Sequence, residues 1–302
     1  MYLNHWNLQR PPFEAQPDSR FLFLTEQNEQ ALAALSYAAR EAGEPALLTA
    51  PPGCGKTILL RALRRQLPRE QYLVAFVPEV VCSQVGLLRR LAYHLSRKVV
   101  GEAAAAMDVI WGQVAAATQA GRGVVVMLDD WPPDASRAAY EELRWLLKLD
   151  VEGCRLAVVL AGDGIDPARH WPPWLAQRLL THVQLGPLAR QQVPGYLAHR
   201  FAAARTPEAP GQNEPPGVFT PEAAALIAEW SGGVPRLINR LAHLALHVAC
   251  LDLARRVQVE AVRRALDRLA AAPALTGTAN VVSSHQGSTP TRVPVAEPLE
   301  AG

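Results

Sequence analysis

The residues best placed to do chemistry are Lys56 and Thr57, which close the run Ala50-Pro51-Pro52-Gly53-Cys54-Gly55-Lys56-Thr57. An ammonium and a hydroxyl directly after two glycines suit a polyphosphate. Small residues let backbone N–H groups wrap the anion, the lysine reaches its outer oxygens, and the hydroxyl ligates Mg²⁺. A helix following the loop adds a favourable dipole at the same point. Of the 30 basic residues only Lys56, Lys98 and Lys148 are lysines, so a chain that prefers arginine has put a lysine where such a loop needs one. The order is that of a Walker A loop with Ala50 in place of the first glycine, which requires a negative φ at Ala50. The candidate nucleotide contacts run from Ala50 through Pro51, Pro52, Gly53, Cys54, Gly55, Lys56 and Thr57 to Ile58. The Cys54 thiol reads as a small side chain filling a variable position of the loop.

A second run, Val124-Val125-Val126-Met127-Leu128-Asp129-Asp130, delivers carboxylates at the end of an apolar strand. In this Walker B arrangement Asp129 holds Mg²⁺ opposite Thr57, and Asp130 polarises the attacking water. A glutamate is usual at the second position. Aspartate is shorter by one methylene, about 1.5 Å, and a misplacement of that order costs about a hundredfold in rate.

These groups need a scaffold that brings two strand ends together. Apolar strands are expected at Ala46–Thr49, Tyr72–Val77, Val124–Leu128, Leu156–Leu160 and His182–Leu185. Helical stretches are expected at Glu26–Ala42, Lys56–Leu67, Ser83–Lys98, Glu102–Ala120, Ser136–Leu149 and Trp174–Leu180. Continuous apolar strands separated by helices predict an α/β fold, a parallel sheet with helices on both faces. After Pro187 the strands stop. A helix over 189–204, a Pro/Gly-rich loop over 205–218, and a capped start at Thr220-Pro221 lead into helices with Leu237, Leu241, Leu244 and Val248, then Val259, Val262, Leu266 and Leu269, at helical spacing. The expected organisation is an extended arm over 1–25, a P-loop α/β domain over 26–188, a small all-α lid over 189–270 and a disordered tail over 271–302. Trp111, Trp145 and Trp230 are expected in the core.

The sequence resembles the AAA+ ATPases of the general secretion pathway protein A (ExeA-like) type over about residues 1–270. The resemblance is carried by Met1-Tyr2-Leu3, Pro12-Phe13, Pro17-Asp18, Arg20-Phe21-Leu22-Phe23, Glu141-Glu142-Leu143-Arg144, Leu185-Gly186-Pro187-Leu188, Phe219-Thr220-Pro221-Glu222-Ala223 and Ser231 to Asn239. It implies ATP with Mg²⁺ as cofactors, hydrolysis of ATP, and a nucleotide-dependent homo-oligomer. It further implies three roles: Arg236 as the sensor 2 arginine touching the γ-phosphate, Arg178 as an arginine offered to a neighbouring subunit's nucleotide, and Asp163 at the sensor 1 position. A carboxylate at Asp163 departs from the expected Gln or Asn and repels the γ-phosphate unless a cation intervenes. For partners the resemblance points to a membrane-bound secretion or pilus protein.

Two rival readings stand beside this one. The substitutions at Asp130 and Asp163 fit a non-hydrolysing nucleotide-dependent scaffold. The basic residues Arg255, Arg256, Arg263, Arg264 and Arg268 fit a nucleic-acid-handling AAA+ protein of the transposition-regulator (TniB-like) type, although Asp252, Glu260 and Asp267 among them make a solvated surface the simpler reading. The net charge of +2 gives no global case for a polyanionic partner. The four cysteines form no Cys-x-x-Cys pair, against zinc or a disulfide framework. With no apolar run long enough to span a bilayer and no leader pattern, a cytoplasmic protein is expected.

Overall fold

The computed structural model describes residues 2–14, 16, 18–40, 44–78, 86–205 and 217–271. The end of the helix expected over Glu26–Ala42, the start of that expected over Ser83–Lys98, most of the 205–218 loop and the tail lie outside these residues.

Five strands, β1 (Ala46–Thr49), β2 (Tyr72–Val77), β3 (Gly123–Trp131), β4 (Leu156–Gly162) and β5 (Thr181–Gln184), form one sheet in the order β2-β3-β4-β1-β5. Every pairing is parallel. Because successive side chains point to opposite faces, each continuous apolar run feeds two cores. Val124, Val126, Leu128, Val158 and Leu160 pack on one face beneath α4 (Leu87–Ser96), α5 (Ala103–Gln119) and α6 (Arg137–Leu147). Val125, Met127, Ala157, Val159 and Ala161 pack on the other beneath α2 (Glu26–Arg40) and α3 (Lys56–Gln66). The expected doubly covered parallel sheet is therefore the observed one.

Several element boundaries moved for identifiable reasons. The helix expected over Trp174–Leu180 is one turn, α8 (Pro173–Ala176), after another short turn, α7 (Pro167–His170). Beyond it the chain bends to bring Leu180 N–H onto the Pro45 carbonyl at 2.8 Å, which starts β5 beside β1. Strand β3 runs past Leu128 to a buried Trp131 that pairs with Gly162 across a bulge. Trp111 and Trp230, expected inside, are exposed, and Trp145 is half-buried; Trp131, Trp171 and Trp6 fill the interior instead. The start of α4 is held from outside: Glu142 accepts hydrogen bonds from the N–H groups of Leu87 (2.5 Å) and Leu88 (3.2 Å). One residue of the Glu-Glu-Leu-Arg segment thus caps a neighbouring helix.

The C-terminal part is helical, as expected: α9 (Val193–Ala203), α10 (Pro221–Ser231), α11 (Pro235–Leu251) and α12 (Val259–Ala271). Thr220 caps α10 by accepting the N–H of Ala223, with Pro221 in its first turn. The N-terminal arm is not simply extended. It contains a helical turn, α1 (Tyr2–His5), and a 3-10 turn at Ser19–Phe21, and its Trp6, Leu8, Phe13 and Phe21 are buried among α9 to α12. Arg200 fastens it: its buried guanidinium donates to the Pro12 carbonyl (2.6 Å) and lies 4.6 Å from the Phe21 ring centroid.

The link between sheet and helices is a backbone contact. Leu188 N–H bonds the Gly233 carbonyl at 2.9 Å, and a Cβ on Gly233 would sit 2.0 Å from the Leu188 oxygen, at a φ of +78°. Gly232, also left-handed, has nothing within 4 Å of its Cβ position. Gly232→Asn is expected to cost under about 1 kcal/mol, since Asn tolerates that conformation. Gly233→Asn meets both strain and a backbone collision and is expected to cost well over about 2 kcal/mol. Urea unfolding of the two variants checks this, and equal midpoints would remove the claim that this contact is obligatory.

Candidate functional site

Strand β1 ends at Thr49 and the chain turns through Pro51 to Gly55 into α3. Cys54 N–H bonds the Pro51 carbonyl at 3.2 Å, and Gly53 and Gly55 take φ of +84° and +98°. Both angles are ones that residues with a Cβ rarely adopt. Ala50 is not among the residues of positive φ, so its methyl is accommodated as the sequence required. The loop is closed and its lysine points inward. Lys56 is buried, and its Nζ donates to the Ala50 carbonyl at 3.2 Å and to the carboxylate of Asp163.

The sheet register explains that pairing. Thr49 lies opposite Gly162, so the next residues, Ala50 and Asp163, leave the sheet side by side. Burial pulls the Lys56 ammonium below its ordinary pKa, while the charges of Asp130 and Asp129 push it back up. The concern that Asp163 would simply repel a phosphate is thus answered in part by the cation beside it.

Asp129 ends the buried part of β3. It is 1% exposed and accepts hydrogen bonds from the Thr57 hydroxyl and, at 3.1 Å, from Asp130 N–H. Burial pushes its carboxyl above the usual range, and the hydrogen bond from Thr57 pulls it down. A hydroxyl and a carboxylate oxygen held together are hard ligands suited to Mg²⁺, and a cation there would keep the buried carboxylate ionised. The donor set fits the metal. Asp130 is exposed with a φ of 55°, at the bulge before Trp131. A non-glycine residue in that region costs of order 1–3 kcal/mol, and here the kink turns Asp130 out of the sheet and toward the lysine.

Arg236, in the first turn of α11, meets the loop directly. Its N–H bonds the Gly53 carbonyl at 3.2 Å, and a Cβ on Gly53 would lie 2.7 Å from the Arg236 Cβ. A cavity of about 1140 Å³ opens here, large enough for a nucleotide. Its walls include Lys56, Thr57, Asp130, Asp163 and Arg236. Arg178 is not brought to this place. It pairs with Glu44 at 3.8 Å, ahead of β1 and so at the far end of the sheet from the loop. Sequence reasoning missed Tyr196 and Arg200 of α9 and Asn239 of α11, which line the far wall; Tyr196 donates to Asn239 at 2.9 Å. The aromatic density of the arm was the available signal, since Phe13 and Phe21 line the same wall. Burial pushes the Cys54 thiol up more than Lys56 pulls it down, which agrees with a filling role rather than a reactive one.

A closed phosphate loop, a carboxylate-tipped neighbouring strand and a helical part touching the loop define a P-loop ATPase fold of the AAA+ class. The AAA domain family matches residues 40–165. The chain is similar to General secretion pathway protein A of Aeromonas hydrophila, with 31% identity over 255 residues, 82% of this chain and 45% of that protein. The chain therefore spans under half the length of that relative, and the expected resemblance to the secretion-pathway-A type holds over the part they share. Among solved structures it is similar to the Aeropyrum pernix ORC2 protein in ADPNP-ADP complexes (TM-score 0.65, 17% identity, covering 85% of this chain and 71% of that one). It is also similar to Cdc6p of Pyrobaculum aerophilum (TM-score 0.63, 16% identity, 85% and 70%). These last two likenesses speak to the fold. Among the described residues no helix is long and apolar enough to cross a membrane.

The Asp129 environment gives a stability prediction with a definite sign. A carboxyl held above its ordinary pKa contributes stability that is fully present below the ordinary value and is lost as pH rises through the raised one. Asp129→Asn keeps an acceptor for Thr57 and Asp130 while removing the buried charge. It is expected to raise Tm at neutral pH, by roughly 2–4 °C for each kcal/mol relieved, and to leave it unchanged in acid. Melts followed by circular dichroism test this; a lower Tm at neutral pH would contradict it.

Proposed function

We propose that the chain binds ATP with Mg²⁺ in this cavity and hydrolyses it, using the cycle to change the position of the helical part and the assembly of a partner complex. The observation that carries the reading is the buried Lys56 in a closed loop, with the Thr57–Asp129 pair beside it. Backbone N–H groups of Gly53 to Lys56 and the α3 N-terminus receive the β-phosphate. Lys56 exchanges Asp163 for phosphate oxygens. Thr57 and Asp129 hold the metal, which when bound neutralises charge developing on the phosphates. Asp130 orients and deprotonates water, and Arg236 stabilises charge on the γ-phosphate from the side of α11. Because Arg236 is attached to the loop at Gly53, loss of the γ-phosphate would be felt at the start of α11. Arg178 serves, in this reading, a neighbouring copy in a nucleotide-dependent oligomer. A membrane-bound secretion or pilus protein as partner, and a cytoplasmic site of action, follow from similarity to General secretion pathway protein A alone.

One observation favours a second reading. Asp163 engages the very ammonium that catalysis requires, which suits a scaffold that binds ATP and turns it over little. Phosphate release from the purified chain separates the two. Under the first reading Lys56→Ala lowers release by about a hundredfold or more, and Asp130→Glu changes it little. Under the second, wild type sits at background and Asp130→Glu raises release. Wild-type release equal to that of Lys56→Ala, with no binding of a fluorescent ATP analogue by either, would end both.

A further inference from the structure

A second concavity, of about 1020 Å³, lies at the other end of α3 from the phosphate loop. One wall carries Arg61, Arg64, Arg65 and Arg69; Arg97 and Arg122 also line it. Its floor is lined by the β2 side chains Tyr72, Val74 and Phe76, and β2 is one of the two edge strands of the sheet. Six arginines in one trough stand out in a chain of net charge +2. Asp18 is the carboxylate on its rim, and Arg20 holds that carboxyl down at about 2 through a side-chain hydrogen bond. Among the described residues, Arg64, Arg65, Arg69 and Arg97 make no ion pair with a carboxylate.

We propose that this trough binds the phosphate backbone of a nucleic acid. Guanidinium groups match phosphate bidentately and are weakly hydrated, so they give up water at less cost than ammonium groups. A concave channel with arginines around its floor fits a strand laid into it, whereas a bilayer surface requires a flat or convex face. Phe76 is buried beneath Arg61, whose guanidinium lies 6.0 Å from the ring centroid, and Tyr72 is half-buried, a single ring that can stack on any base without telling one from another. Binding is therefore sequence-independent and electrostatic. One local fact supports the strength of the field. After burial, the charges of Arg97, Arg90 and Arg64 hold the His94 imidazole, another wall of the trough, below its ordinary pKa. Arg97 also occupies the left-handed cap of α4, with φ 61°, a place that glycine fills more easily. The site is separate from the Arg255 to Arg268 surface considered from sequence, and it does not rest on the ATPase reading.

The test uses the full chain and a fluorescein-labelled oligonucleotide, single-stranded or duplex, with anisotropy read between about 50 mM and about 200 mM salt. Expected are binding that weakens steeply with salt and does not depend on sequence, and a loss of affinity of roughly tenfold or more in Arg64→Glu/Arg65→Glu. A smaller loss is expected in Arg97→Gly, the variant whose backbone is relieved and which therefore decides the matter if charge reversal unfolds the chain. Arg263→Glu/Arg268→Glu on α12 is expected to bind as wild type. The imidazole pKa of His94, followed by NMR, is expected to rise when the oligonucleotide is bound. The inference is overturned by any of three results: no anisotropy change at the lowest salt, groove variants that bind as wild type, or displacement of the oligonucleotide by a poly-glutamate peptide or phosphatidylserine vesicles as readily as by unlabelled oligonucleotide.

Discussion

A buried ammonium is the constraint around which this molecule is arranged. Lys56 lies 6% exposed at the end of the sheet, where an unpaired cation would be costly to hold. The chain surrounds it with one carbonyl and three carboxylates from three strand ends: Ala50 after β1, Asp163 after β4, and Asp129 and Asp130 at the end of β3. None of these is near Lys56 in sequence except Ala50. The parallel register alone assembles them, since strands that run the same way end at the same edge. Under the proposed function a polyphosphate entering this edge would exchange one set of anions for another, and the difference between the two sets would be the free energy available for binding.

The loop is not an isolated cradle. Gly53 has no room for a Cβ because Arg236 occupies that space, and Gly233 has none because Leu188 does. Two backbone hydrogen bonds, Arg236 to Gly53 and Leu188 to Gly233, run beside these close approaches. The loop, the segment leaving β5 and the start of α11 thus form one closely packed unit. Such contacts do not deform gradually, so a shift of the loop is passed to α11 as a displacement rather than absorbed.

The parts legible in the sequence were those with a strong local signal. Apolar runs gave all five strands, and the Gly-x-Gly-Lys-Thr order after a strand gave the tight turn into α3 that carries Lys56 inward. Thr220 with Pro221 gave the start of α10. What the sequence did not show depends on contacts between distant segments. Glu142 caps α4 across 55 residues, and Arg200 fastens the arm from 188 residues away; each is an ordinary charge in sequence. The tryptophans misled for the same reason. Trp111 and Trp230 fall on helices that keep a face to solvent, whereas Trp131, just past the expected end of its strand, pairs with Gly162, where a Cβ would collide with the Trp131 carbonyl.

Helix α3 joins the closed loop at one end to the arginine-lined trough at the other. Its 11 residues span about 16 Å at the usual rise. At its start the unsatisfied N–H groups and the positive end of the dipole favour phosphate with little help from side chains, and accordingly one lysine suffices there. At its end the dipole is reversed and disfavours an anion by a charge equivalent to about half an electron. Arg64 and Arg65 in the last turn offset that, and on helix grounds alone two arginines would be enough. The trough adds four more around them. This excess of positive charge, on the side where the backbone itself would repel phosphate, is what distinguishes a surface suited to polyanions from an ordinary helix end.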